Sequence, residues 1–165
     1  MSINCIRTLI EDANVSNPDK IALVFGNEKL TYRELFTKVN QIAYYLAELD
    51  LPKGSRIGLY SNKGIDQVIA ILAILSTNYV LVPLTKLLKA EQVEYIIGDC
   101  DIKCIITDKI KLESIEEIKF NGHIISYETS HKDLPSFEEI YKYYNKPYTC
   151  DVNGHSNAVI TYSFG

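Results

Sequence analysis

Several features that mark specialised classes of protein are scarce or absent in this 165-residue chain. It has no tryptophan, only four cysteines, and a net charge of -4 from 17 basic and 21 acidic side chains. Four cysteines are too few for a disulfide scaffold in a chain of this length, so we expect reduced thiols. A slightly acidic mixture of charges also does not fit a dedicated nucleic-acid binder, which normally has a basic face. We therefore expect an ordinary globular protein with no nucleic-acid partner.

Long hydrophobic runs are missing as well. The longest, residues 68–75 (VIAILAIL), has eight residues, whereas a membrane-spanning helix needs about 20. The first 20 residues (MSINCIRTLIEDANVSNPDK) contain no continuous apolar stretch of the kind found in a secretory signal. These two absences predict a cytoplasmic protein with no membrane span.

The clearest pattern that is present is an apolar stripe at helical spacing between Tyr32 and Leu49. Such spacing places the apolar side chains on one face of a helix. Thr31 and Glu34 have the spacing of a capping box, and residues 52–54 (PKG) are typical of a loop. The sequence therefore predicts a helix over residues 31–49.

Short apolar runs alternate with helical stripes through the rest of the chain. Two runs around a Gly-Asn turn predict a small N-terminal hairpin within residues 21–31. The alternation that follows predicts an α/β fold, with a doubly wound, mostly parallel sheet flanked by helices. The predicted strands of this sheet are residues 56–60, 79–82, 103–106, 123–126 and 158–162, and the predicted helices lie within 65–75, 91–98, 112–118 and 135–144.

Five segments carry motifs in a fixed order: residues 18–24 (PDKIALV), 29–35 (KLTYREL), 53–62 (KGSRIGLYSN), 79–84 (YVLVPL) and 158–165 (AVITYSFG). In order and spacing they resemble the AMP-forming adenylate enzymes, which include acyl-CoA synthetases and the adenylation domains of peptide synthetases. The second segment is similar to the Leu-Thr-Tyr-x-Glu-Leu motif of that family. The last resembles the beginning of its phosphate loop, Tyr-Thr-Ser-Gly-Thr-Thr-Gly-x-Pro-Lys-Gly.

The resemblance implies a carboxylate ligase that uses ATP and Mg to form an acyl-adenylate and passes the acyl group to a thiol of CoA or a carrier protein. It also implies that residues 1–165 are a partial N-terminal AMP-binding domain that ends inside the phosphate loop, with no complete second domain. Ser163, Phe164 and Gly165 are then the candidate residues for binding the ATP phosphates. The catalytic lysine and the acidic metal ligand of the family would lie downstream. We therefore assign no catalytic or metal-binding residue, and we expect the chain alone to be inactive and to bind ATP poorly.

Some residues depart from the family pattern and leave the subfamily open. Residues 76–78 (STN) replace Lys-Ala-Gly, Thr85 stands where an Asp or Asn is usual, and Phe164 replaces a small residue. Without the family, residues 162–165 are simply a strand that runs into a turn. The alternative function is a stand-alone interaction module that is derived from a ligase domain. A last strand with an uncovered edge also predicts self-association.

Two further clusters have chemical and structural interpretations. Cys100 and Cys104 could join a histidine in a metal site, but their spacing does not match paired zinc knuckles, so buried thiols are favoured. The tyrosines near residue 144 could stack on single-stranded nucleic acid, but the acidic charge favours amphipathic packing at the sheet edge. The histidines that could join the metal site are His123, His131 and His155. The tyrosines that could stack are Tyr141, Tyr143, Tyr144 and Tyr148. A separate group of charged residues predicts a solvated helix face: Glu113, Glu116, Glu117 and Lys119.

Overall fold

A computed structural model of the protein describes residues 6–130, 133–149 and 158–163. Within these ranges the chain forms helices and strands in an alternating order that follows the sequence pattern. The elements are α1 (Ile6–Ser16), β1 (Ile21–Phe25), β2 (Glu28–Thr31), α2 (Tyr32–Glu48), β3 (Arg56–Tyr60), α3 (Ile65–Leu75), β4 (Val80–Leu84), α4 (Ala90–Asp99), β5 (Ile102–Thr107), α5 (Lys109–Glu117), β6 (His123–Ser126) and α6 (Phe137–Tyr143).

The main sheet has four strands in the order β4-β3-β5-β6, and every neighbouring pair is parallel. Strands β1 and β2 form a separate antiparallel hairpin, as predicted. The predicted bounds of β3 and β6 are confirmed, whereas β4 begins and ends later than residues 79–82. In this sheet the first strand along the chain, β3, lies between β4 and β5.

Helices cover both faces of the sheet and create two hydrophobic cores. Successive side chains of a strand point to opposite faces, so Ile57 and Leu59 of β3 lie in one core and Tyr60 lies in the other. The first core includes buried residues of α2, α3 and α6, and the second includes buried residues of α4 and α5. The doubly wound α/β fold predicted from the sequence is therefore confirmed.

Helix α2 begins at the predicted capping box. The Thr31 hydroxyl accepts a hydrogen bond from the Glu34 N–H at 3.2 Å, and the Thr31 N–H donates to Glu34 Oε2 at 2.8 Å. These two bonds satisfy backbone donors that the first turn of a helix leaves free. The apolar stripe is buried against the first core, with Leu35, Val39 and Ile42 each at most 4% exposed.

Two parts of the structure differ from the sequence prediction. Helix α1 was not predicted, because its stripe is short and only Ile10 among its residues is buried. Residues 158–162 were predicted to be a strand, but they form one parallel bridge, between Leu81 and Val159. The predicted strand is wrong in extent, although its parallel pairing with β4 is present: the Leu81 N–H donates to the Ala158 carbonyl and the Ile160 N–H donates to the Leu81 carbonyl, both at 2.9 Å. Among the residues described, the segment gains burial through Ile160 and Tyr162, which pack on the second core, rather than by extending the ladder along β4.

Of the tyrosines near residue 144, Tyr141 and Tyr144 pack against α2, Tyr148 lies under the Arg7 guanidinium of α1, and Tyr143 is 78% exposed. The Tyr144 ring lies 5.8 Å from that of Tyr44 and 5.2 Å from that of Tyr45. Lys38 places its Nζ 3.7 Å from the centre of the Tyr141 ring. Packing is thus confirmed for Tyr141 and Tyr144, but the predicted position at the sheet edge is wrong, because their partner is helix α2.

None of the helices in the described ranges is long and apolar enough to cross a membrane. The cytoplasmic location stays a prediction.

Candidate functional site at the carboxyl ends of the strands

The carboxyl ends of β3, β4 and β5 lie level with one another. Tyr60 pairs with Leu84 on one side and with Thr107 on the other. The chain leaves β3 towards β4 on one side and later reaches β5 on the other side, so β3 is the point where the strand order changes direction. Ligands of open α/β sheets bind outside such carboxyl ends, and this edge is therefore the candidate site.

Between β3 and β5 the edge is closed by the protein's own side chains. Asp108 Oδ2 accepts hydrogen bonds from the Asn62 backbone N–H at 2.6 Å and from Asn62 Nδ2 at 2.9 Å. Its other oxygen, Oδ1, accepts from the Lys111 N–H at 2.8 Å and caps α5. Both oxygens of this buried carboxylate are thus engaged within the fold, which gives Asp108 a structural role.

A second hydrogen-bonded contact at the same side of the edge joins Ser61 to Tyr127. The Ser61 and Tyr127 hydroxyls are 2.8 Å apart and buried. Burial raises the pKa of the Tyr127 hydroxyl above its usual value, which keeps it protonated and available as a donor. The Thr107 hydroxyl donates to the Tyr60 carbonyl at 2.8 Å and ties the same two strand ends together. These bonds tie the ends of β3 and β5 together and engage the hydroxyl groups on that side of the edge within the fold.

On the other side, between β3 and β4, the edge is open. A groove of about 390 Å³ lies between α3 and the loop after β4. Its walls are largely aliphatic, and two lysines, Lys63 and Lys86, stand among the lining residues. The groove is lined by Leu59, Ser61, Lys63, Gln67, Ile71, Pro83, Leu84, Thr85, Lys86 and Leu87. Sequence reasoning missed it because it is formed by segments that come together only in the folded sheet.

The candidate phosphate-binding residues are partly described. Ser163 is exposed, whereas Phe164 and Gly165 lie outside the described residues. Just before Ser163, the Tyr162 hydroxyl donates to Asp99 Oδ2 at 2.6 Å and lies 3.1 Å from the Cys100 sulfur. The hydrogen bond to Asp99 raises the pKa of Tyr162. The approach to Ser163 is therefore anchored at the end of α4, and the role of the three residues stays a prediction.

The cysteine candidates lie in different cores. Cys100 follows α4 and is buried in the second core, whereas Cys104 lies in β5 and is buried in the first. Both are free thiols, as predicted, and burial raises the pKa of Cys104. Of the histidines, His123 begins β6 and is exposed, while His131 and His155 lie outside the described residues. In the described part of the chain, no three His, Cys, Asp or Glu side chains are grouped so that they could hold a metal ion.

The predicted solvated helix face is confirmed. Helix α5 turns its buried Leu112 and Ile115 towards the protein and leaves its charged residues outside. The exposed residues are Glu113, Glu116, Glu117 and, just beyond the helix, Lys119.

Comparisons with known proteins give the family. Residues 10–165 match the family described as AMP-binding enzyme. The chain is 34% identical over 123 residues to gramicidin S synthase 1 of Brevibacillus brevis. The aligned region covers 74% of this chain and 11% of that protein. The chain is 32% identical over 120 residues to tyrocidine synthase 1 of Brevibacillus parabrevis, covering 73% of this chain and 11% of that protein. The chain thus spans about one tenth of these curated relatives.

Solved structures show the same fold. The anthranilate CoA ligase AuaEII, in complex with anthranoyl-AMP, matches all of this chain with a TM-score of 0.85 at 23% identity, over 33% of its own length. The N-terminal domain of FACL13 from Mycobacterium tuberculosis matches 99% of this chain with a TM-score of 0.84 at 20% identity, over 42% of its own length. The match to the family model over residues 10–165 shows that the chain belongs to the AMP-binding enzyme family.

Proposed function

We propose that the chain is the N-terminal part of an AMP-forming carboxylate ligase. Such an enzyme activates a carboxylate with ATP to an acyl-adenylate and transfers the acyl group to a thiol. The observation that carries the proposal is the family match, which extends from residue 10 to residue 165. The parallel sheet and its helices support it, because the same arrangement occurs in the N-terminal domains of adenylate-forming enzymes.

The proposed contribution of this chain to the reaction is to hold the start of the phosphate-binding loop. Adenylation concentrates negative charge on the α-phosphate and the leaving pyrophosphate, so the site needs N–H donors and cations there. Ser163, Phe164 and Gly165 would supply the first donors. The anchored Tyr162 and the Leu81–Val159 bridge support this role, since they fix the approach to Ser163 while leaving it exposed. ATP with its Mg ion would supply the adenylyl group, and pyrophosphate would leave.

The thiol acceptor is proposed by class. The relatives include peptide synthetases and the structural neighbours include CoA ligases, so the acceptor is either a carrier protein or CoA. The carboxylate is then an amino, aryl or aliphatic acid. None of the residues assigned here selects among these acids.

The test begins with the gene. We expect the reading frame to continue after Gly165 into residues similar to Thr-Gly-x-Pro-Lys-Gly. The protein that this frame encodes should catalyse carboxylate-dependent exchange of labelled pyrophosphate into ATP, whereas purified 1–165 should show none above a mock preparation. A stop codon directly after Gly165 would favour the stand-alone interaction module. Exchange by residues 1–165 alone would show that the phosphate site is more complete than proposed.

A matched pair of variants tests the assignment of Ser163. In the encoded protein, Ser163→Ala should raise the KM for ATP, because it alters the loop that contacts the phosphates. Thr161→Ala changes an exposed neighbour by a similar volume and should leave the KM unchanged. Equal effects of the two variants would remove Ser163 from the site.

A further inference from the structure

The groove between β3 and β4 has no role in the proposed phosphate-binding loop. It lies at the carboxyl ends of the two strands, where Leu59 and Leu84 form part of its wall and Ile71 of α3 faces them. Its volume of about 390 Å³ falls within the range of small-molecule sites, about 300–1,000 Å³. On the neighbouring β3–β5 side, the Asn62–Asp108 bonds join the two strand ends.

The charges around the groove all have one sign. Lys63 and Lys86 are exposed and line it, and the lining contains no acidic residue. The ion pairs found among the described residues, Arg33–Asp19 and Lys103–Asp101, involve neither lysine. Lys111 adds a third positive charge nearby, because its Nζ donates to the Lys86 carbonyl at 3.1 Å. The rim therefore attracts an anion.

The inner wall of the groove is largely aliphatic and is suited to an apolar part of a ligand. Leu87 is 84% exposed beside it, which leaves a large aliphatic side chain in water next to two lysines. Covering aliphatic surface of this kind contributes about 0.8 kcal/mol for each CH₂ removed from water, which corresponds to about fourfold in affinity. A ligand that fits both the rim and the wall combines an apolar body with one negative head group.

We propose that the groove binds an amphiphilic anion, with its aliphatic body against Leu59, Ile71 and Leu84 and its head group beside Lys63 and Lys86. The head group is recognised by its charge, so a sulfate or a carboxylate serves equally. The site is separate from the proposed phosphate-binding residues and does not depend on them.

Calorimetric titration of the 165-residue chain with octyl sulfate, octanoate and octanol tests this proposal. The two anions, each kept below its micelle concentration, should bind with one-to-one stoichiometry. Octanol has the same chain without a charge and should bind at least about fivefold more weakly. Hexyl sulfate, which is two CH₂ groups shorter, should bind roughly fifteenfold more weakly than octyl sulfate.

Variants locate the site. The double variant Lys63→Gln/Lys86→Gln should reduce the affinity for octyl sulfate most of the way to that for octanol, with Lys111 retaining a small part of the difference, and should leave the affinity for octanol unchanged. Lys20→Gln removes an exposed positive charge elsewhere and should have no effect. Gln67→Phe should fill the groove and abolish binding of all three ligands, and circular dichroism melts confirm that each variant folds.

Several results would overturn the proposal. They are absence of binding to the wild-type chain, equal affinity for octanol and octyl sulfate, several equivalent sites, or full affinity in the double lysine variant. Binding to vesicles that contain anionic lipid, without binding to monomeric octyl sulfate, would identify a membrane contact in place of a small-molecule site.

Discussion

Asp108 binds Asn62 through one carboxylate oxygen and caps α5 through the other. One side chain thus joins the ends of two adjacent strands and begins the next helix. The two residues are 46 positions apart in the chain, so this contact exists only when β3 and β5 are paired. The buried Asp108 carboxylate at this edge of the sheet therefore stabilises the fold through these hydrogen bonds.

Removal of this carboxylate should destabilise the fold. Asp108→Ala loses a helix cap, worth about 0.5–2 kcal/mol, and leaves the Asn62 donors unpaired, which costs about 1–3 kcal/mol. We expect the free energy of unfolding to fall by about 2–4 kcal/mol in urea titrations. Asn62→Ala keeps the cap and should cost less. Equal losses in the two variants would contradict the double role of Asp108.

Gly58 should be intolerant of a side chain because β3 packs closely on the second core. A Cβ at this position would lie 3.3 Å from Ile102 Cδ1 and 3.4 Å from Ile105 Cγ1. Gly58→Ala should therefore lower the free energy of unfolding by about 1–3 kcal/mol through overpacking. Adding Ile102→Val, which removes the nearer methyl group, should recover part of the loss. If the losses in the free energy of unfolding for Gly58→Ala and Ile102→Val simply add in the double variant, the two positions are independent and the overpacking explanation is wrong.

The capping box at α2 should make stability depend on pH in the acidic range. Hydrogen bonds from the backbone and side chain of Thr31 lower the pKa of Glu34. The carboxylate therefore contributes stability above its ordinary pKa, and that contribution is lost as the pH falls through the lowered value. Thr31→Ala should cost about 1 kcal/mol at pH 7 and should flatten this acid dependence. Thr31→Ser retains the hydroxyl and should behave like the wild type in the same thermal melts.

Asp66, in the first turn of α3, should have the opposite dependence. Burial raises its pKa, and Glu128, Glu28 and Glu138 raise it further, while Lys38 lowers it. The folded state thus holds this proton more tightly than the unfolded state does. The associated stability is present below the ordinary aspartate pKa and is lost as the pH rises through the raised value.

Asp66→Asn mimics the neutral form, so it should be more stable than the wild type at pH 7. The advantage should disappear near pH 3, about one unit below the ordinary aspartate value of 3.8. Glu113→Gln, on the exposed face of α5, controls for the loss of one negative charge. A variant that is less stable than the wild type at pH 7 would contradict the assignment.

The self-association predicted from the sequence can be tested at Val159. This residue is 44% exposed beside the outer edge of β4. We expect light scattering to show association at about 100 μM, within the range where exposed apolar surface drives it. Val159→Lys should reduce this association, whereas Val15→Lys, on α1, should not. A wild-type chain that stays monomeric at this concentration would show that the edge is sufficiently covered.

The sequence predicted the elements whose signals are local. Helix α2 combines a long apolar stripe with a capping box, and β6 is a short apolar run between polar residues. Both signals lie within the element itself, so no knowledge of its partners is needed. Helix α1 has only a short apolar stripe, and of its residues Ile10 alone is buried.

The remaining features depend on which segments meet. The apolar run at 158–162 has strand character, but its pairing is limited to Leu81 in the described residues. The Asn62–Asp108 contact and the groove near Lys63 and Lys86 require the strand order, which periodicity does not specify. The candidate site was thus predictable in its general position, at the carboxyl ends of parallel strands, but not in its contacts.

The central position of β3 has a consequence for synthesis of the protein on the ribosome. Strand β4 can pair with β3 soon after it emerges, but β5 follows about 40 residues after β3 ends. Ribosomes add about 5–20 residues per second. At that rate, the edge of β3 that pairs with β5 stays unpaired for roughly 2–8 s after β3 is complete. During that interval the N–H and C=O groups of this edge are open to incorrect pairing, so the nascent chain stays vulnerable to aggregation until β5 emerges.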